Sequence, residues 1–190
     1  MIGMLRLAVP LALCLLVALF QPARADISML PDRSDSIVVA VLNNDIEKVR
    51  NLLTKGVNPN MTDADGRTAL IHAATAGNTP AVKLLLDAGA KATIRDKTGN
   101  TAMHYAIERG NIEILRMMLD AKAPPDLLNR QGATPLMVAA GRGRADIVGL
   151  LLERGADVTK QDYTGHDALG WAQDHRQNAI VAILRKAGAK

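Results

Sequence analysis

Four glycines, Gly66, Gly99, Gly132 and Gly165, recur at a step of 33 residues, and one phrase surrounds them all. It runs Asp63-Ala64-Asp65-Gly66-Arg67-Thr68-Ala69-Leu70, then Asp96-Lys97-Thr98-Gly99-Asn100-Thr101-Ala102-Met103. It returns as Asn129-Arg130-Gln131-Gly132-Ala133-Thr134-Pro135-Leu136 and as Asp162-Tyr163-Thr164-Gly165-His166-Asp167-Ala168-Leu169. A constant period of this length belongs to an array of small supersecondary units, each too small to bury its apolar face without a neighbour. The expected product is a surface that holds another molecule, not a pocket that performs chemistry.

The parts of each unit follow from its residues. Asp-x-x-Gly closes a tight turn in which Gly takes a backbone conformation that other residues resist. Thr68, Thr101 and Thr134 then offer an oxygen to the exposed N–H groups of a starting helix. Pro135 sits at a first helical position, where a missing N–H costs nothing. Leu70, Ala73 and Ala74 repeat at helical spacing, and Gly77, Gly110 and Gly143 end that helix. A second helix opens at Asn78-Thr79-Pro80 or Asn111-Ile112-Glu113. It carries an apolar stripe through Val82, Leu85 and Leu86 and stops at Gly89, Gly155 or Gly188.

Stepping back 33 residues from Asp63 places a degenerate first unit at 30–62. Arg33 fills its turn-Gly slot, Asp35 the Thr slot, and Ile37 and Ala40 the apolar slots. By composition the run from Ile37 to Leu42 reads as a strand; register with the other units makes it a helix. The units are therefore 30–62, 63–95, 96–128, 129–161 and 162–190. In the last, the outward position of Leu53, Leu86, Leu119 and Leu152 becomes Arg185, a polar residue suited to an end that no neighbour covers. Lys122 and Arg176 stand where other units carry a terminating Gly, and Pro124-Pro125 follow the first of them. A Lys in the left-handed conformation costs about 1 kcal/mol.

Residues Thr134-Pro135-Leu136-Met137-Val138-Ala139-Ala140 resemble the Thr-Pro-Leu-His-x-Ala helix start of the ankyrin repeat, and Thr101-Ala102-Met103-His104 keeps its His. The second halves resemble it too, through Val82 to Ala90 and Val148 to Asp157. The resemblance covers about residues 30 to 190. It implies an all-α solenoid of helix-turn-helix units joined by β-hairpin-like turns. It also implies a scaffold that binds a protein partner on its concave face of hairpins and first helices, with no activity of its own.

The slots of that face map to Arg67, Lys97, Asn100, Arg130, Tyr163 and His166 at the hairpin tips. Glu108, Arg109, Arg142, Asp174 and His175 follow on the first helices, while Asp87, Glu113, Asp120, Asp146 and Glu153 fall on the second. The first face is mildly basic; a solvated charged surface and a groove for an acidic partner both remain open. The apolar residues Val38, Val41 and Leu42 of the first unit form a competing exposed contact. The column His72, Tyr105, Val138 and Trp171 is expected to pack between first helices, with an exposed aromatic edge as the alternative. His104 is expected to tie neighbouring turns by hydrogen bonds. Asn60-Met61-Thr62 matches a glycosylation acceptor, but Asn60 falls in a slot of the repeat and is read as structural.

The first 25 residues have another plan. Arg6 gives a positive start, Leu7 to Phe20 is apolar apart from Pro10, and Ala23-Arg24-Ala25 is a small-x-small cleavage site. The run is shorter than the ~20 residues of a spanning helix. A signal peptide cut between Ala25 and Asp26 is expected, leaving 26–190 as the repeat domain with no stable membrane insertion. Cys14 is the one cysteine and lies inside the apolar run, without small residues before it, so it reads as filler. Without Arg6 and Arg24 the 23 basic residues become 21 against 19 acidic, a net +2 that does not argue for nucleic acid.

Ser28, Ser34 and Ser36, all before or within the first unit, are the only serines after that segment, so the array beyond them holds no Ser or Cys nucleophile. Neither His-x-x-x-His nor a Cys pair occurs, and no metal or other cofactor is expected. Gly141-Arg142-Gly143 follows a helix and lacks a Lys-Ser or Lys-Thr, so it is a helix stop and not a phosphate loop. The expected function is a monomeric, periplasmic or secreted interaction scaffold. A regulatory subunit or inhibitor of an envelope enzyme is the first alternative, and a hydrolytic enzyme the second.

Overall fold

The computed structural model describes residues 36–189. The expected signal segment, its Ala25–Asp26 cleavage site and the Arg33 and Asp35 slots lie outside them. Ten helices occur among the described residues, two per repeat. The first helices are α1 (Ile37–Leu42), α3 (Ala69–Ala76), α5 (Ala102–Arg109), α7 (Pro135–Gly141) and α9 (Ala168–Asp174). The second helices are α2 (Ile46–Thr54), α4 (Thr79–Asp87), α6 (Ile112–Asp120), α8 (Ala145–Glu153) and α10 (Asn178–Lys186). First helices pack on first helices, second on second, and the two of each repeat on one another. Register thus prevails over composition at Ile37–Leu42, which is helical.

The starts and stops are local chemistry. Thr68 and Thr134 accept the N–H groups of Ile71 and Met137 at 3.2 Å. Asp45, Asn78 and Asn111 do the same for the second helices, through Lys48, Ala81 and Ile114 at 2.9–3.0 Å. Each cap satisfies a donor that has no partner inside its helix. Gly77 and Gly110 leave their helices at φ 73 and 71°. Asn44, Lys122 and Arg176 hold left-handed conformations at φ 55, 64 and 56°, so the chain keeps the same stop even without Gly. Between repeats, the Asn60 side chain accepts the Lys91 N–H at 2.7 Å, and Asp126 accepts that of Asp157 at 3.1 Å. Asn60 therefore holds the next repeat.

Leu85, Leu115, Met118, Val148 and Leu151 of the second helices are fully buried, as are Leu70, Ile107 and Leu136 of the first. Full burial of such side chains contributes about 1.5–3 kcal/mol apiece. Alanines at Ala73, Ala74, Ala106, Ala139 and Ala140 keep the first helices slim at their contacts. At the amino-terminal end the expectation fails for two of three residues. Val38 and Val41 are buried members of the core, because α1 packs on both α2 and α3. Leu42, in the last turn of α1, is 59 % exposed. Arg185 is exposed on α10.

Candidate functional site: the hairpin and first-helix face

Each turn is built on one side chain. Asp63 Oδ1 accepts the N–H groups of Asp65 and Arg67 at 2.9 Å. Asp96, Asn129 and Asp162 do likewise for their own turns, at 2.9–3.1 Å. A carboxylate then has a second oxygen to spend. Asp63 Oδ2 lies 2.7 Å from His72 Nε2, Tyr105 Oη donates to Asp96 Oδ2 at 2.5 Å, and Trp171 Nε1 donates to Asp162 Oδ2 at 2.8 Å. All three pairs are nine residues apart. The aromatic column thus does more than pack: it ties each hairpin to the first helix of the same repeat.

The third repeat is reinforced from below. Arg67 Nε lies 3.4 Å from Asp96 Oδ2, its Nη2 donates to Tyr105 Oη at 3.2 Å, and the guanidinium sits 5.3 Å from the ring centre. Burial raises the carboxyls of Asp63, Asp96 and Asp162, but the hydrogen bonds they accept outweigh it and hold all three low. For Asp162, with Thr164 and Trp171 as donors, the value is about 2. His104 is the opposite case: burial pushes it down to about 4. Its Nδ1 accepts the Thr101 N–H at 3.2 Å while Nε2 meets the Ala133 carbonyl of the next repeat at 3.3 Å. That geometry suits the neutral ring with its proton on Nε2, and His104 ties neighbouring turns as expected.

The fourth repeat breaks the pattern twice. Asn129 keeps the turn-forming oxygen but offers an NH2 in place of the second one, and donates it to Asn100 Oδ1 at 3.2 Å. Val138 stands where the second, third and fifth repeats have a ring. A notch of about 470 Å³ results, with Val138 and Trp171 as its apolar walls and Asn129, Arg130, Arg142 and Glu108 around them. Trp171 lies against α7 at Gly141, where a Cβ would come within 3.0 Å of the ring.

The expected contact residues have unequal fates. Arg67 is held in the Asp96–Tyr105 network and is half-buried. Asn100, Arg130 and Arg142 are brought together around the notch, with Arg142 3.5 Å from Glu108. Lys97, Arg109 and Arg130 are exposed and enter no ion pair among the described residues. Lys97 and Arg109 do not line the notch. Tyr163, 74 % exposed, lies over the turn at Gly132. His166 Nδ1 is 2.8 Å from Thr164 Oγ1, and His175 stacks on Trp171 with ring centres 5.9 Å apart. Val138 and Trp171 belong to the column expected to pack between first helices, with an exposed aromatic edge as the alternative, and Asn129 reads only as part of its turn. Their signal is the joint change of Asp to Asn and ring to Val in one repeat, nine positions apart.

This face carries exposed cations, amides and the Trp171 indole. Among the described residues no group of three or more His, Cys, Asp or Glu could hold a metal ion, and no helix is long and apolar enough to cross a membrane. No curated protein matches the chain. The family model described as ankyrin repeats (three copies) matches residues 37–127 and 119–190, and the chain belongs to the ankyrin repeat family.

Proposed function

We propose that this protein is an exported scaffold that docks a protein partner on the face formed by its hairpin tips and first helices. Ankyrin repeats commonly mediate protein–protein interaction. The carrying observation is the division of labour among the cations of that face. Arg67 is consumed by the fold, whereas Lys97, Arg109 and Arg130 stay exposed without ion pairs among the described residues. The amino-terminal segment with its Ala-x-Ala site supports export, and the lack of cysteine after Cys14 suits an oxidising compartment such as a periplasm. A regulatory subunit or inhibitor of an envelope enzyme is one form of the same docking role.

The test begins with the partner recovered by affinity purification from the native compartment. Arg109→Glu with Arg142→Glu should weaken its binding and leave melting unaltered, because both side chains are exposed. Glu113→Lys with Asp146→Lys, on α6 and α8, should matter much less. Loss of binding only in Leu42→Asp would move the contact to the amino-terminal end and refute this face.

A further inference from the structure

We infer that the notch of the fourth repeat receives an aromatic side chain from an acidic segment of the protein partner, a reading that rests on the docking face proposed above. The second, third and fifth repeats carry a ring at the Val138 slot, His72, Tyr105 and Trp171, each bonded to the carboxylate of its own turn. The fourth gives up both halves of that tie, since Asn129 brings no second carboxylate oxygen and Val138 brings no ring. The notch lies beside that slot, between Val138 and Trp171 of the next repeat, and is open to a visitor. Its volume of about 470 Å³ lies within the ordinary range of small binding sites. Val138 and the Trp171 indole supply apolar walls, and an indole favours offset or edge-to-face contact with a second ring.

The charge at the rim selects what flanks that ring. Among the described residues Glu108 is the only carboxylate lining the notch, and Arg142 stands 3.5 Å from it. Arg130 lines the notch, is exposed, and enters no ion pair among the described residues. An Asp at position 129 would place a carboxylate here, as Asp63, Asp96 and Asp162 do in theirs; the amide of Asn129 removes that repulsion for an acidic visitor. Complementarity thus runs from an acidic flank on Arg130 to a ring between Val138 and Trp171.

Trp171 is the only tryptophan of the chain and forms a wall of the notch, so its fluorescence reports occupancy directly. The probe is an end-blocked Asp-Glu-Phe-Glu-Asp pentapeptide titrated into the protein. A saturable change is expected, weakened at least about tenfold when Phe is replaced by Ala or the acids by Lys. Arg130→Glu should weaken the parent peptide at least about tenfold. Asn129→Asp with Val138→Tyr refills the notch with the tie of the third repeat and should abolish binding while the melting temperature holds or rises. Should that variant fail to fold, Arg130→Glu decides alone. No saturable change, equal affinity for the Ala peptide, or intact binding by the refilled variant overturns the inference. The docking face is judged separately: a partner lost by Arg109→Glu with Arg142→Glu but kept by the refilled variant leaves that face standing and removes the notch.

Discussion

The third and fourth repeats are neighbours with the same backbone plan and opposite internal wiring. In the third, Asp96 holds its turn with one oxygen and Tyr105 with the other, Arg67 reaches up from the second repeat, and His104 ties the next turn. In the fourth, Asn129 holds the turn alone, Val138 offers no polar atom, and Met137 fills the His slot. Both remain packed, since Leu115 and Met118 in one and Val148 and Leu151 in the other are fully buried. The difference separates two layers of the design. Apolar stacking of helices suffices to build a repeat, whereas the polar ties on the hairpin face can be given up, and where they are, a notch opens on that face.

The comparison is broken most severely in the second helices. Met118→Ala and Leu151→Ala occupy one slot in the two repeats, as Leu85→Ala does in the second, and each should cost about 2–5 kcal/mol in urea unfolding. A much smaller cost for Leu151→Ala would mean that the fourth repeat is not packed like the third.

Acid comes next. His104 in the folded protein sits at about 4, below its usual 6.5, so between these values the unfolded chain binds the extra proton. Its contribution is complete above pH 6.5 and is lost as pH falls to about 4, on the order of 3 kcal/mol. His104→Met, which copies the fourth repeat, should flatten stability across that window. The low carboxyls of Asp63, Asp96 and Asp162 act later, holding their contribution above the ordinary carboxylate range and losing it as pH drops toward about 2 for Asp162. An unchanged pH profile for His104→Met would remove the His from this role.

Smaller still is the tie itself. Tyr105→Phe removes the donor to Asp96 and the acceptor for Arg67 and should cost about 1–2 kcal/mol, seen as a lowered melting temperature. Least of all, Arg130→Glu at the rim of the notch should stay within about 0.5 kcal/mol of the parent. A larger loss would show that Arg130 serves the fold, as Arg67 does.

Periodicity made the architecture legible: the 33-residue step placed ten helices, turned Ile37–Leu42 from strand to helix, and anticipated left-handed residues at Lys122 and Arg176. It could not show which atoms meet. A residue's slot says which face it shares, not that a carboxylate splits its two oxygens between a turn and a ring nine positions on. Hence the column at His72, Tyr105 and Trp171 read as packing, and the reach of Arg67 to Asp96 in the next repeat was not visible. Val38 and Val41 likewise looked exposed at a chain end, while the packing of α1 on α2 and α3 buries them. The Asn129–Val138 change is visible in the sequence, but the notch it opens depends on where Trp171 comes to rest.

A double-mutant cycle in the fourth repeat tests most directly whether hairpin and helix are tied by this pair. Urea unfolding is measured for Asn129→Asp, Val138→Tyr and the two together. If the tie of the third repeat is transferable, the double variant exceeds the sum of the singles in stability by about 0.5–3 kcal/mol. Strictly additive values would contradict it, because the new carboxylate and the new hydroxyl would then not be meeting.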